Sequence, residues 1–345
     1  MVNGPSLTLV LGAMDKFRGT ASARELSDAV ARAGRLCGAD AESQPMSDGG
    51  EGFRDAFDGD EVIVEVPGPL GEMVAAGITL IESSPGSRAV LEVAQVLGRE
   101  RLVSPTPEQA LEASSEGAAH LILAAQRLGA SSILMGCGGS ATSDGGLGCY
   151  RALKEAGGLS VPVIVATDVT ARFSGLKRYA GQKGVRMSDL ALIDRRLERA
   201  REVYLAECGV DVELLERAGA AGGIPGALAA LGAVLTGGFE AVAQAVSLQE
   251  RIDRASLVVT GEGRFDGGSL EGKVVVSVAR LVGRATLLVV CGSIDEASAH
   301  EFSRRFERAH VVSLVRRFGA RRARSAVAEC VEEVVAEEIA SLTQD

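Results

Sequence analysis

The sequence contains no tryptophan, and aromatic residues fill only 3% of its 345 positions. Stacking platforms for nucleic-acid bases or sugar rings need aromatic faces, so recognition of that kind is disfavoured. Six cysteines stand at 37, 137, 149, 208, 291 and 330, never as a Cys-x-x-Cys pair. That spacing supports neither a zinc site nor a dithiol redox motif, and it fits reduced thiols in a cytoplasmic protein. The three histidines, His120, His300 and His310, have no metal-ligand spacing, and no Gly-x-Ser-x-Gly elbow occurs. Zinc-hydrolase and serine-hydrolase chemistries therefore lack parts. Long apolar runs are missing too: Ala227–Leu235 is far short of the roughly 20 residues a membrane helix needs. The run Leu7–Met14 has no basic region before it and ends at Asp15, so it is read as a strand rather than a signal peptide. Basic residues cluster only at Arg316–Arg324, which is read as a solvated loop between a strand and a helix and not as a nucleic-acid patch.

Hydrophobic residues make up 46% of the chain, enough for a real core, and 345 residues are comfortable for two domains. The net charge is −10, so an anionic substrate would need local cations or a metal ion to offset the overall field. Both ends of the chain alternate short apolar runs with helical patterns. Ser6–Leu11 is a β-type run, and Ser22–Arg35 places Leu26, Ala29, Val30 and Ala33 on one helical face with Ser22 as a cap. Beyond Ser256, the runs Leu257–Thr260, Thr286–Cys291 and Val311–Val315 alternate with helices. The last helix, roughly Ala323–Leu342, carries Val327, Val331, Val334 and Ile339. Continuous apolar strands alternating with helices predict a parallel sheet covered on both faces.

The middle reads differently. Glu61–Pro67 and Met73–Ile81 are alternating strands around the turn Pro67-Gly68-Pro69. A helix is expected over Glu108–Leu128, opened by Ser104-Pro105-Thr106-Pro107, and another over Ser188–Cys208, capped by Ser188 and stopped by Gly209. The expected fold class is therefore α/β with two domains. A doubly wound parallel sheet forms from both ends (1–60 plus 253–345), and an α/β domain is inserted (61–252).

Glycine, 43 residues in all, gathers in loops that also carry acids. These loops are Met46–Gly52, Gly136–Gly146, Gly219–Gly223 and Thr260–Gly267, and three of them follow β-type runs directly. They would lie at the carboxyl ends of strands, where open α/β sheets bind ligands. Glycine lets backbone N–H groups approach phosphate oxygens, and Asp48, Glu51, Asp144, Glu262 and Asp266 are hard oxygen donors suited to Mg²⁺. Phosphoryl transfer requires a phosphate cradle, a metal, a cation for the transition state and a carboxylate for the hydroxyl proton. Two other patterns compete. Gly136-x-Gly138-x-x-Ala141 fits a dinucleotide fingerprint, but Asp144 follows where a pyrophosphate-binding helix should begin. Gly267-x-x-x-x-Gly272-Lys273 is P-loop-like, but Val274 replaces the Ser/Thr that would hold Mg²⁺, which leaves Lys273 either on a phosphate or in solvent.

In order, Asp15–Ala23, Pro45–Gly52, Gly68–Gly71, Gly138–Gly146, Asp168–Thr170, Gln182–Gly184, Gly219–Gly223 and Thr260–Asp266 resemble the motifs of the two-domain bacterial glycerate kinase family. The resemblance implies ATP- and Mg²⁺-dependent phosphorylation of D-glycerate, with the 2-hydroxyl favoured, by an enzyme with a Rossmann-like domain and a second α/β domain around a cleft that holds the active site. Asp15, Asp48, Asp144, Asp168 and Asp266 match the family's motif carboxylates, and Lys273 matches its Gly-Lys. Where the family has Lys this chain has Arg18, where it has Asn-Pro this chain has Ala171-Arg172, and where it has Gly-x-Gly-Glu this chain has Gly117-Ala118-Ala119-His120. The segments after Gly158 and after Gly175 are also shorter, so another small hydroxy acid stays open as the acceptor.

The expected roles follow. Asp48 or Asp266 accepts the proton, with Arg18 and Lys273 as catalytic cations. Gly138, Gly139, Ser140, Thr142, Gly222 and Gly223 hold the nucleotide. Asp15, Arg264 and Asp168 face the acid, with Arg18 or Arg264 gripping its carboxylate through paired hydrogen bonds. Asp144, Glu51 and Glu262 hold the metal. The partners expected are a small hydroxy acid and a nucleotide, with no nucleic acid and no membrane, and a homodimer is kept open. The competing readings are a silent ligand-binding paralogue and a nicotinamide-dependent oxidoreductase.

Overall fold

A computed structural model describes residues 9–82 and 86–344. In chain order its strands are β1 (Leu9–Gly12), β2 (Asp40–Ser43), β3 (Asp60–Pro67), β4 (Met73–Glu82), β5 (Ser87–Glu92), β6 (Ser132–Gly136), β7 (Val163–Ala166), β8 (Val234–Thr236), β9 (Leu257–Phe265), β10 (Thr286–Ile294) and β11 (Ala309–Ser313). They form two sheets in two compact units, one from residues 1–48 and 242–345 and the other from 49–241. The first three residues of the expected strand Ser6–Leu11 lie outside the described residues.

The first unit holds a five-stranded sheet in the order β11-β10-β9-β1-β2, with every neighbouring pair parallel. Residues of one phase, Val10, Leu257, Val259, Leu288 and Val290, pack against the helices Ala23–Leu36 and Val327–Leu342. Residues of the other phase, Leu11, Val258 and Val289, are equally buried, and the helix Val274–Leu281 contacts β9. Both faces are thus covered, as a parallel sheet of continuous apolar strands requires. The chain ends do build a doubly wound sheet. Its order reverses between β1 and β9, because the chain leaves β1 for β2 on one side and leaves β9 for β10 on the other. Open α/β sheets bind ligands beyond the carboxyl ends of the strands at such a reversal.

The helix Ala23–Leu36 starts where the sequence indicated. Ser22 accepts from the backbone N–H of Glu25 at 3.2 Å, while the Glu25 carboxylate accepts from that of Ser22 at 2.8 Å, a reciprocal cap that satisfies two otherwise orphaned donors. At the other end of this unit the sequence reading needs correcting. Leu314–Ser325 is helical, interrupted by a left-handed Gly319 at φ 79°, so Arg316–Arg324 is not a loop. Three of its five arginines are matched to acids on neighbouring helices: Arg316 to Glu296, Arg317 to Glu337 and Arg322 to Glu333.

The second unit has a six-stranded sheet in the order β3-β4-β5-β6-β7-β8. The strands β3, β4 and β5 pair antiparallel, and β5 to β8 pair parallel. Here two helical expectations change. The single helix expected over Glu108–Leu128 is two helices, Pro107–Glu112 and Glu116–Arg127. Ala113 breaks the run at ψ 121°, and the break presents Ser114 and Ser115 to partners elsewhere: Ser114 N–H donates to the Pro69 carbonyl at 2.8 Å. The long helix runs Leu190–Cys208 and ends at left-handed Gly209 as expected, but Ser188 precedes it in a short turn and donates to Asp189 instead of capping it. Among the described residues, no helix is long and apolar enough to cross a membrane.

Candidate active site

At the reversal point of the first sheet the chain builds a pocket of about 420 Å³. After β1, Ala13 N–H donates to the Val259 carbonyl at 2.7 Å and Asp15 N–H to that of Gly261 at 3.1 Å, so the segment carrying Asp15 is held against β9. Gly261 is itself required, because a Cβ there would overlap the Val290 carbonyl oxygen on β10. These contacts bury Asp15 to 8% exposure. Its carboxylate accepts from the Lys16 N–H at 2.8 Å, yet burial pushes its pKa up to about 7, with Lys16 opposing and Asp48 and Glu262 adding to the rise.

Three more carboxylates share the pocket. Asp48 lies 3.6 Å from the Lys16 ammonium. Asp266 caps the turn that follows β9 by accepting from Gly268 N–H at 3.0 Å, and its other oxygen is 3.3 Å from Arg264 Nε. Glu262, on β9, is only 7% exposed. Burial raises its pKa to about 6, although a hydrogen bond with Ser269 and the charge of Lys273 pull the other way. Among the described residues its Oε1 has no hydrogen-bond partner. Arg18, Lys273 and Arg324 also line the pocket, and among the described residues none of the three makes a side-chain hydrogen bond or an ion pair. Lys16 and Arg264 complete five cationic side chains in a protein of net charge −10. The local positive groups that an acidic protein needs for an anionic substrate are gathered here.

In the second unit, the loop Gly136–Gly146 is held by two charged groups, the half-buried Asp144 and the buried Lys183. Asp144 accepts through Oδ2 from Ser115 N–H at 2.9 Å, Ser115 Oγ at 2.7 Å and Gly148 N–H at 3.1 Å, and through Oδ1 from Gly146 N–H at 3.1 Å. Lys183 donates to the Thr142 carbonyl at 2.6 Å and stands 3.4 Å from Ser140 Oγ. Burial drives the Lys183 pKa down to about 7, with Asp144 opposing and Arg99 adding to the fall. The folded state therefore binds this proton less tightly than the unfolded chain does, and the sign of the pH dependence follows: between about pH 7 and 10 the Lys183 contribution to stability grows as pH rises. Relative to the parent, Lys183→Met should look worst at high pH and least harmful near pH 7, as read by urea unfolding across that window.

Of the expected nucleotide-binding residues, Gly139 (φ 68°) has nothing closer to its missing Cβ than 3.9 Å, so its backbone is accessible. Gly222 and Gly223 are needed for a different reason. At φ 76° and 93° they pack onto the backbone of Thr142 and Gly145, where a Cβ would collide.

The pocket thus brings together Asp15, Arg18, Asp48, Glu262, Arg264, Asp266 and Lys273. Asp144, Glu51 and Asp168 belong to the second unit. Glu51 and Asp168 are exposed, and the oxygens of Asp144 are occupied by protein donors. Among the described residues no group of three or more His, Cys, Asp or Glu side chains is placed to hold a metal ion, so Asp144, Glu51 and Glu262 do not form the expected set. Lys16, Ser293 and Arg324 in the pocket, and Lys183 in the second unit, were not picked out from the sequence. Lys16 and Lys183 stand inside the motifs quoted above, whereas Arg324 was hidden in the arginine cluster.

The profile of the glycerate kinase family matches residues 10–157 and 154–344. The chain belongs to the glycerate kinase family. It is 35% identical over 326 residues to the glycerate 2-kinase of Escherichia coli K12, covering 82% of this chain and 85% of that protein. It is 32% identical to the glycerate kinase of Halalkalibacterium halodurans, covering 84% and 86%. A solved structure of a glycerate kinase 2 from Salmonella typhimurium LT2 superposes with a TM-score of 0.76 at 27% identity, covering 97% of this chain and 99% of that one. The chain is an enzyme of this family.

Proposed function

We infer that this chain phosphorylates a hydroxyl of D-glycerate with ATP, giving 2-phosphoglycerate. The observation that carries this reading is the pocket at the sheet reversal, where three cations without an ion pair or side-chain hydrogen bond among the described residues stand beside four carboxylates. Relatives named glycerate kinase support the acceptor.

In this reading Arg18 or Arg264 grips the substrate carboxylate, and Lys273 offsets charge on the transferred phosphoryl group. One of Asp48 and Asp266 takes the proton of the attacking hydroxyl. The other is the metal ligand, since Mg²⁺ commonly needs only one or two protein carboxylates besides nucleotide phosphates and so needs no set of three. When bound, Mg²⁺ neutralises charge on the phosphate oxygens. The nucleotide phosphates are assigned to the accessible backbone at Gly139 beside Gly138, whereas Ser140 and Thr142, buried and bonded to one another at 3.2 Å, correct the expectation of phosphate-binding hydroxyls and with Gly222 and Gly223 hold that loop in shape. Asp15 is placed beside the acid, its high pKa reflecting a site that disfavours another anion until a cation compensates. Six unpaired cysteines fit a reducing cytoplasm.

A coupled ADP-release assay tests the reading. ADP release should require both D-glycerate and Mg²⁺, and tartronate and related acids should be poorer acceptors. Ligand-induced thermal stabilisation without ADP release would instead identify a binding protein.

A further inference from the structure

Lys183 is 8% exposed, and among the described residues its amino group makes no ion pair with a carboxylate. Burying such a group is costly unless hydrogen bonds replace its hydration. Here the replacement comes from one loop. Nζ donates to the Thr142 carbonyl at 2.6 Å and stands 3.4 Å from Ser140 Oγ, which in turn lies 3.2 Å from Thr142 Oγ1. The segment that carries Lys183 is itself fixed. Lys183 ends the short turn Gly181–Lys183, and the next residue, Gly184, is left-handed at φ 89°, where a Cβ would collide with the Pro105 ring. Its neighbour Gln182 accepts from Arg99 Nη1 at 3.4 Å.

The same loop is also tied to the segment 97–99. Arg99 N–H donates to the Gly139 carbonyl at 3.0 Å, and Ala141 N–H donates to the Leu97 carbonyl at 2.7 Å. What these bonds leave over is a set of donors. Among the described residues the N–H groups of Gly138, Gly139 and Ser140 have no acceptor, and Gly138 is half-buried while Gly139 is exposed. Successive backbone N–H groups of this kind can form an anion-binding concavity. Neither glycine has a side chain to brace it, so the shape of the concavity depends on what holds the residues beside it. Among the described residues, Lys183 is the only side chain from outside the loop that bonds residues 140–142.

We propose that Lys183 is a positioning residue for the nucleotide: its amino group fixes the turn Ser140–Thr142 and so holds the Gly138 and Gly139 N–H groups ready for phosphate oxygens. The inference rests on the reading that this loop takes the nucleotide phosphates. Lys183 has no part in gripping the acid, whose pocket is lined by residues of the first unit, so its loss should divide the two substrates. A side chain that only stabilised the fold would behave differently. Its loss would lower the amount of active enzyme, and hence the apparent kcat, with both KM values unmoved.

The test measures the KM for ATP, the KM for D-glycerate and, by titration calorimetry, the Kd of Mg²⁺-ADP in the parent, Lys183→Met and Lys183→Gln. In Lys183→Met the KM for ATP and the Kd of Mg²⁺-ADP should rise together by about tenfold to 10²-fold, while the KM for D-glycerate stays within about twofold. Lys183→Gln keeps an N–H donor on a shorter side chain and should lie between; if the methionine variant does not fold, the glutamine variant alone carries the comparison. Unchanged nucleotide constants in both variants, with the parent active on glycerate, overturn the proposal and leave the kinase assignment standing. An equal rise in both KM values marks a general disturbance of the fold and overturns it too. A parent that binds Mg²⁺-ADP but is inactive on glycerate, with binding lost in Lys183→Met, supports the proposal and overturns the acceptor assignment instead. A parent that binds no Mg²⁺-ADP overturns the proposal.

Discussion

Asp48→Asn and Asp266→Asn are expected to leave the protein folded and to cut turnover with Mg²⁺-ATP and D-glycerate, one of them by about 10²- to 10⁴-fold in kcat. The size follows from the step each removes. A hydroxyl is a poor nucleophile until a base takes its proton, and asparagine cannot accept one. The variant that loses the base should fall in kcat with little change in KM. The one that loses the metal ligand should recover part of its rate at raised Mg²⁺. Both carboxylates line the pocket and each has a cationic neighbour, Lys16 for Asp48 and Arg264 for Asp266, so each asparagine variant also removes one charge pair. Near-parental turnover in both would contradict the roles assigned to this pair.

The second large effect is on stability. Asp144→Ala removes a carboxylate that receives four hydrogen bonds, from Ser115 N–H, Ser115 Oγ, Gly146 N–H and Gly148 N–H. The loss extends further, because Ser115 Oγ in turn accepts from Cys149 N–H at 3.0 Å. Hydrogen bonds to a charged acceptor contribute about 1.5–3 kcal/mol each, and stranded buried donors add to the loss. The unit containing residues 49–241 should therefore be destabilised by about 3 kcal/mol or more, a fall in melting temperature of roughly 6–12 °C. Asp144→Asn keeps one acceptor oxygen and should lose less. A variant that melts like the parent but has lost Mg²⁺-dependent turnover would return Asp144 to the metal.

Asp144 also shows where sequence reasoning reaches its limit. Its place in a Gly-rich loop after a strand was legible, and so was its chemical fitness as a ligand. Its use was not, because the partner that occupies it, Ser115, lies 29 residues away. That partner becomes available only where the helix breaks at Ala113, a break the local helical pattern did not signal. Ser22, by contrast, caps its helix through contacts with Glu25 three residues away, a short-range signal that was legible, although the same signal misled at Ser188, which precedes its helix in a short turn. The parallel sheet from both chain ends was legible for a related reason: strands buried on both faces are written as continuous apolar runs. The pocket was half legible. Strand ends named Asp15, Asp48, Glu262 and Asp266, whereas Arg324 reaches it from a helix whose charges looked like a solvated loop. The burial that lifts Asp15 to about 7 is set by β9 and its neighbours, which no local pattern contains.

The most direct measurement is a crystal structure of the protein with Mg²⁺, a non-hydrolysable ATP analogue and D-glycerate. The acid is expected in the pocket at the β1–β9 reversal. Its carboxylate should lie on Arg18 or Arg264, and the reacting hydroxyl within hydrogen-bond reach of Asp48 or Asp266. Glycerate bound in an ordered pose with none of these side chains in contact would contradict the assignment of this pocket as the acceptor site.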